Sequence, residues 1–282
     1  ACSDTVVTPP GTPVYRATLA LTNGVLIDGT GAAPLPDATI VLNGAEVVAV
    51  GPCGEVGIPE RTETNDLQGA TILPGFINAH VHGAYDEDLL ASWAQGGVTT
   101  VRDLGTWIDN DGTGSQPPAI ADLCAASEVV CGTSEQLFGF RDEVAADPRF
   151  ARLVAAGPIL GLPRDRHDVR WIMESPEQAE QTVNVLIDDG ADLIKIYITE
   201  PTVADAPTQD TATANGDSAH PRGVPVAAHV ISTVHLAYAL DAKVDDLVHM
   251  VVTTVDDDLL ARVVEDGVAW VPTLELWHCV GN

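Results

Sequence analysis

The chain has 282 residues and carries 41 Asp and Glu against 13 Lys and Arg, a formal net charge of −28. A surface of that sign repels phosphate backbones and argues against a nucleic-acid partner. No uninterrupted apolar run reaches the roughly 18 residues that a membrane-spanning helix needs.

Residues 1–15 read as a linker, with Pro9, Pro10, Gly11 and Pro13 and no periodicity. Ala17–Ile27, Ala38–Leu42 and Glu46–Val50 are short β-rich runs separated by Asn-Gly and other Gly-rich turns, so residues 16–69 are expected to form a small β domain. From residue 70 to 282, strand-like and helix-like runs alternate, which predicts βα units around a parallel sheet. The strand candidates are 71–79, 98–103, 157–161, 192–198, 225–229, 245–249 and 268–273, and the clearest helices are 86–95, 176–189, 232–241 and 256–266. Ser175-Pro176-Glu177 is a strong helix start, with a Ser cap, Pro at the first position and an acidic first turn. Asp109–Pro118 and the Thr, Asp, Ala and Pro-rich residues 200–223 read as loops beyond the carboxyl ends of strands.

Two histidines one residue apart close the run Leu73-Pro74-Gly75-Phe76-Ile77-Asn78-Ala79-His80-Val81-His82. Residues i and i+2 of a strand share a face, so His80 and His82 can aim two imidazoles at one divalent ion. Three further candidates close strand-like runs of their own: Lys195, His229 and His249. His229 and His249 are twenty residues apart with an amphipathic helix between them, the interval of a βαβ unit. Lys occurs only at 195 and 243, which sets Lys195 apart in an apolar strand. His167, His220, His235 and His278 are expected not to be ligands. Arg102 and Tyr197 lie near strand ends, where they could face the cavity, and Arg102 could equally pair with Asp103 or another carboxylate.

These runs, with Val98-Thr99-Thr100-Val101-Arg102-Asp103-Leu104-Gly105 and Val271-Pro272-Thr273-Leu274, resemble the amidohydrolase superfamily over residues 17 to 275. The match is closest to the branch with a carboxylated lysine, which includes dipeptidases, related acyl-amino-acid hydrolases and imidazolonepropionase-like enzymes. The resemblance implies a (β/α)8 TIM-type barrel preceded by a small β-sandwich domain. It also implies two Zn2+ or similar ions held by His80, His82, Lys195, His229 and His249 and bridged by carboxylated Lys195, with Lys195 and His229 in catalytic roles. The implied activity is hydrolysis of an amide-type C–N bond of a small molecule, a dipeptide, N-acyl amino acid or cyclic amide, through a metal-bound hydroxide. Val230-Ile231-Ser232-Thr233 lacks the glutamate that neighbouring branches carry after the fifth-strand histidine, and Ile231 stands where dipeptidase-like members commonly have tyrosine. Seven strands are read where the family has eight, so the barrel is expected to be truncated after strand 7. A catalytically silent or truncated subunit serving binding or assembly is the alternative, with an oligomer or partner supplying the missing strand.

Asp outnumbers Glu 27 to 14, and with the depletion of Lys this gives the composition of a salt-adapted protein. Of five cysteines, Cys124 and Cys131 flank a short loop and are expected to pair, which suits an oxidising compartment. Ala1-Cys2-Ser3-Asp4 ahead of a Thr/Pro-rich stretch is similar to the start of a mature bacterial lipoprotein. Cys2 is therefore a candidate lipid anchor and the chain is expected to be exported to the periplasm, cell surface or medium, although Ala1 ahead of Cys2 does not suit a processed end.

Overall fold

The computed structural model describes residues 15–106, 134–158, 160–161, 171–173, 175–198 and 209–274. The chain divides into two compact units, Ala1–Gly75 and Phe76–Asn282. In the first, β1 (Leu19–Leu26), β2 (Leu35–Asn43), β3 (Glu46–Pro52), β4 (Glu63–Asp66) and β5 (Thr71–Ile72) form one five-stranded sheet. Its order is β3-β2-β1-β4, with β5 also paired to β1. β1 alternates half-buried and buried positions along its first six residues, the signature of a strand with one covered face. The described residues of this unit form that single sheet; a second, facing sheet that would make a sandwich is not among them. Cys53, at the end of β3, is disulfide-bonded, and the Cys124–Cys131 pairing lies outside the described residues.

The second unit is built from parallel strands. β6 (Phe76–Val81), β7 (Val98–Asp103) and β8 (Arg152–Ala155) make one sheet in that order. β9 (Leu160–Gly161), β10 (Trp171–Ile172), β11 (Ile194–Tyr197), β12 (Val226–His229), β13 (Asp246–Val248) and β14 (Ala269–Val271) make the other, ordered β10-β9-β11-β12-β13-β14. Asp192 ties β8 to the start of β11, its N–H donating to the Ala155 carbonyl at 3.0 Å and its carboxylate accepting from Ala155 N at 2.9 Å.

Two of the predicted strands change. The strand expected over 71–79 is two strands: Pro74 has no N–H to donate, and the chain leaves the first sheet after Ile72 and enters the second unit at Phe76. The strand expected at 157–161 is preceded by β8, whose four residues follow the Asp147-Pro148-Arg149 turn and had no signal beyond Leu153-Val154.

Among the described residues the helices are α1 (Glu87–Gln95), α2 (Ser134–Val144), α3 (Pro176–Asp189), α4 (Gln209–Ala219), α5 (Thr233–Asp241) and α6 (Asp257–Glu265). Four of the six carry side-chain caps: Asp86, Ser175, Ser232 and Asp256 accept from the backbone N–H three residues on. α4 and the 3₁₀ turn His220–Arg222 replace much of the loop expected at 200–223. Thr, Asp, Asn and Gly are weak helix formers, so local propensity gave no sign of α4. Packing supplies the difference: Thr211, Ala212, Asn215, Gly216 and Ala219 are buried, and Asn215 Nδ2 donates to the Thr211 carbonyl at 2.8 Å. A Cβ on Gly216 would stand 3.0 Å from the Ala242 carbonyl oxygen, so any side chain there would press that backbone back by a few tenths of an ångström.

The two faces of the parallel strands bury different clusters. Ile194, Ile196, Val226, Ala228 and Leu247 join the large core with the helices. Their neighbours Leu193, Ala227 and Val248 join a smaller cluster with Leu104 and Ala156. Strand alternation puts Lys195 and His229 on the face of the smaller cluster, His229 as the last residue of β12 and Lys195 as the second residue of β11.

Candidate metal centre

Strand register sets the height of each candidate. Tyr197 pairs with His229 across β11 and β12, and His229 with Val248 across β12 and β13. Lys195 pairs with Ala227, which pairs with Asp246, so the lysine and this aspartate lie one step below the histidines, separated by a methyl group. His249 follows Val248 with φ of 76°, a left-handed conformation uncommon outside glycine and asparagine. That backbone is held on both sides: His249 N donates to the Val271 carbonyl at 2.9 Å, and Trp270 Nε1 donates to the His249 carbonyl at 2.7 Å.

The four imidazoles form a chain of ring contacts. Centroids are 5.0 Å apart for His80 and His82, 4.6 Å for His80 and His249, and 4.4 Å for His229 and His249. Tyr197 stacks on His229 at 3.8 Å with an interplanar angle of 24°. His82 Nδ1 lies 2.6 Å from the Gly105 carbonyl. A carbonyl only accepts, so Nδ1 carries the proton in the neutral ring and Nε2 presents its lone pair. His249 Nδ1 is 3.0 Å from Thr273 Oγ1, and His80 Nδ1 is buried with no hydrogen-bond partner among the described residues. Asn78, Ala79, His80, His82, His249, Val271, Thr273 and Leu274 line a cavity of about 520 Å³, with His229 and Lys195 not among its lining.

The electrostatics keep His80, His82 and His249 neutral. Burial first, then the Lys195 ammonium, lowers His80 to about 2 and His249 to about 4. His82 is lowered by burial while its bond to Gly105 pulls the other way. Lys195 is 1% exposed, and its charge is offset by two carboxylates that it lowers in turn, Asp103 and Asp246. Burial nevertheless wins at both: Asp103 is pushed up to about 6, and Asp246 stands above the usual carboxylate range. Asp246 pairs with Arg102, which also donates from Nε to the Ala79 carbonyl at 2.8 Å. Arg102 is thus partnered by Asp246 rather than by its chain neighbour Asp103.

Of the histidines expected to lie elsewhere, His220 pairs with Asp245 at 3.0 Å, and buried His235 accepts from Ile231 N at 3.4 Å. His167 and His278 are outside the described residues. Thr273, Asp246 and the Gly105 carbonyl escaped the sequence reading. Thr273 and Asp246 each border a strand end, a weak signal that was present; a backbone carbonyl leaves none.

As a donor set, these residues suit a divalent transition metal. Neutral imidazoles are ligands and imidazolium is not. Two nitrogens each about 2.1 Å from one ion stand roughly 3.4 Å apart at a tetrahedral angle, and His80 Nε2 and His82 Nε2 are 3.1 Å apart. Among the described residues no group of three or more His, Cys, Asp and Glu side chains is arranged to hold a metal ion, lysine not being one of those four residue types.

No protein-family model matches the chain. It is 44% identical over 72 residues to 5-methylthioadenosine/S-adenosylhomocysteine deaminase of Syntrophobacter fumaroxidans, covering 24% of this chain and 16% of that protein. An uncharacterized protein of Mycobacterium tuberculosis is 27% identical over 221 residues, covering 74% of this chain and 52% of the relative. Among solved structures, an amidohydrolase superposes with a TM-score of 0.63 at 23% identity, over 91% of this chain and 66% of that one. A Xaa-Pro dipeptidase superposes with a TM-score of 0.61 at 21% identity, over 91% and 67%. The chain therefore spans about half the length of the mycobacterial relative and about two thirds of these structures. The fold is that of the amidohydrolases, and the resemblance to their superfamily read from the sequence holds.

Proposed function

We propose that this chain carries the metal centre of a hydrolase that cleaves an amide-type C–N bond in a small molecule. The observation that carries the reading is the convergence of His80, His82, His229 and His249, with buried Lys195 beneath them, at the carboxyl ends of parallel strands. Parallel α/β folds build their sites at that rim. His80, His82, His229 and His249, with Lys195 as a carbamate, would hold two ions, zinc by preference. A lysine ammonium disfavours its neighbours' protonation and is a poor ligand; carboxylation replaces it with an anionic oxygen donor at the same place. The ions supply Lewis acidity toward a carbonyl and lower the pKa of water. His82 is held in the tautomer that offers Nε2, the stack of Tyr197 fixes the ring plane of His229, and Thr273 fixes the ring of His249.

Dipeptides and N-acyl amino acids are the substrate classes to test first, supported by the Xaa-Pro dipeptidase among the structural neighbours. Zinc-loaded protein should hydrolyse members of such a panel, and Lys195→Ala should not. Equal turnover by Lys195→Ala would end the proposal. Export is supported by the disulfide at Cys53, with Cys2 as a candidate lipid anchor.

One observation favours a second reading, an assembly or binding subunit. Phe76 and Ile77 on β6, the outer strand of its sheet, are 61% and 67% exposed, and an open strand edge is a template for pairing with another chain. A zinc-loaded protein that is inert on the whole panel and elutes as an oligomer would support that reading over the first.

A further inference from the structure

We propose that Asp103 is a positioning residue that orients the His82 imidazole by clasping the two backbone turns between which that ring is held. The inference rests on the metal reading of the site above and deepens it.

Asp103 is the last residue of β7 and has no exposed surface. Its two oxygens are divided between two segments. Oδ2 accepts from Ala84 N at 2.9 Å, two residues beyond His82; Oδ1 accepts from Gly105 N at 2.9 Å. Gly105 is also the residue whose carbonyl takes the His82 Nδ1 proton at 2.6 Å. One carboxylate thereby fixes both the turn that carries the ring and the turn that holds its far nitrogen. Gly105 has φ of 117°, a conformation open to glycine, so this carbonyl's direction depends on a backbone that other residues do not readily adopt. Strand pairing alone does not supply the clasp: Asp103 pairs with Val81, and the ladder between β6 and β7 shifts register between Asn78 and Val81. The carboxylate takes over where the ladder ends. Outer partners of this kind set the tautomer and angle of a ligating histidine, and their loss typically weakens metal binding by about 10–100-fold.

The test uses Asp103→Asn, an isostere whose amide can accept from only one of the two N–H groups. Zinc affinity would be measured by competition with a chromophoric chelator, and the His82 tautomer by ¹⁵N shifts of imidazole-labelled, metal-free protein, assigned with His82→Gln. Leu90→Ala, a buried change in α1 with no part in the clasp, controls for general loss of stability. The expected result is zinc affinity about 10–100-fold weaker in Asp103→Asn than in Leu90→Ala, with the single Nδ1–H form of His82 replaced by a tautomer mixture. Affinity and tautomer matching those of Leu90→Ala would overturn the proposal. Should Asp103→Asn fail to fold, Asp103→Glu carries the same readouts, since it keeps the charge but cannot place both oxygens on the same two N–H groups. Should the wild type bind no zinc, the metal reading fails by itself. The tautomer then decides the clasp, a mixture in the variant supporting it and an unchanged Nδ1–H form overturning it.

Discussion

Replacing His249 with asparagine should flatten the acid limb of this protein's stability. In the fold His249 is lowered to about 4 from an ordinary value of 6.5, by burial first and Lys195 second. Stability falls with falling pH wherever the unfolded chain binds more protons than the folded one. Between about pH 6.5 and pH 4, His249 is protonated unfolded and neutral folded, so acid favours unfolding. Taking those two values from about pH 7.5 to about pH 4.5 gives a loss on the order of 2–3 kcal/mol from this one ring. At 9% exposure, solvent screening takes little from that figure. Asparagine is the substitution of choice because it tolerates the left-handed φ of 76° that alanine would resist. Urea unfolding of both proteins in the presence of a chelator, across this pH range, isolates the effect; the carboxylates common to both cancel in the difference. The wild type should lose about 2–3 kcal/mol more than His249→Asn. Parallel curves would refute the argument that this ring is held neutral in a buried, cationic setting.

Three further outcomes follow from the same geometry. Asp246→Ala, which strips Arg102 of its buried carboxylate, should destabilise the fold by about 3 kcal/mol in urea unfolding at neutral pH, while Asp245→Ala, at an exposed site beside it, should cost clearly less. Tyr197→Ala should lose the aromatic pair with His229, about 0.5–1.5 kcal/mol beyond its burial, in the same urea unfolding. A net charge of −28 should make the melting temperature rise with sodium chloride as the screening length shrinks from about 30 Å at 0.01 M to about 3 Å at 1 M. A flat salt response would remove the case for salt adaptation.

The parts of the fold legible in the sequence are those where local signals agree. α3 spans Pro176–Asp189 as its Ser-Pro-Glu start announces, and β7 spans Val98–Asp103. The apolar runs ending at Tyr197, His229 and Val248 are strands because their alternate residues serve two different clusters, which a continuous apolar run permits. α4 was illegible because its Thr, Asn and Gly residues are helical only through burial against their neighbours. The break at Leu73-Pro74-Gly75 was visible, yet which side of it belonged to which unit depends on Thr71 and Ile72 pairing with Val25 and Leu26, a contact more than forty residues away. At the site, parity and strand ends selected four histidines whose rings are in contact, while the pairing of Arg102 with Asp246 joins β7 to β13 and has no local signature.

The central claim is that His80, His82, His229, His249 and Lys195 form one metal centre, and zinc stoichiometry tests it most directly. Metal-free protein titrated with zinc in bicarbonate buffer should take up two ions per chain. Lys195→Ala should lose the second ion, and His80→Ala should bind weakly at best. Zinc uptake by the wild type no greater than that of the His80→Ala variant would contradict the account.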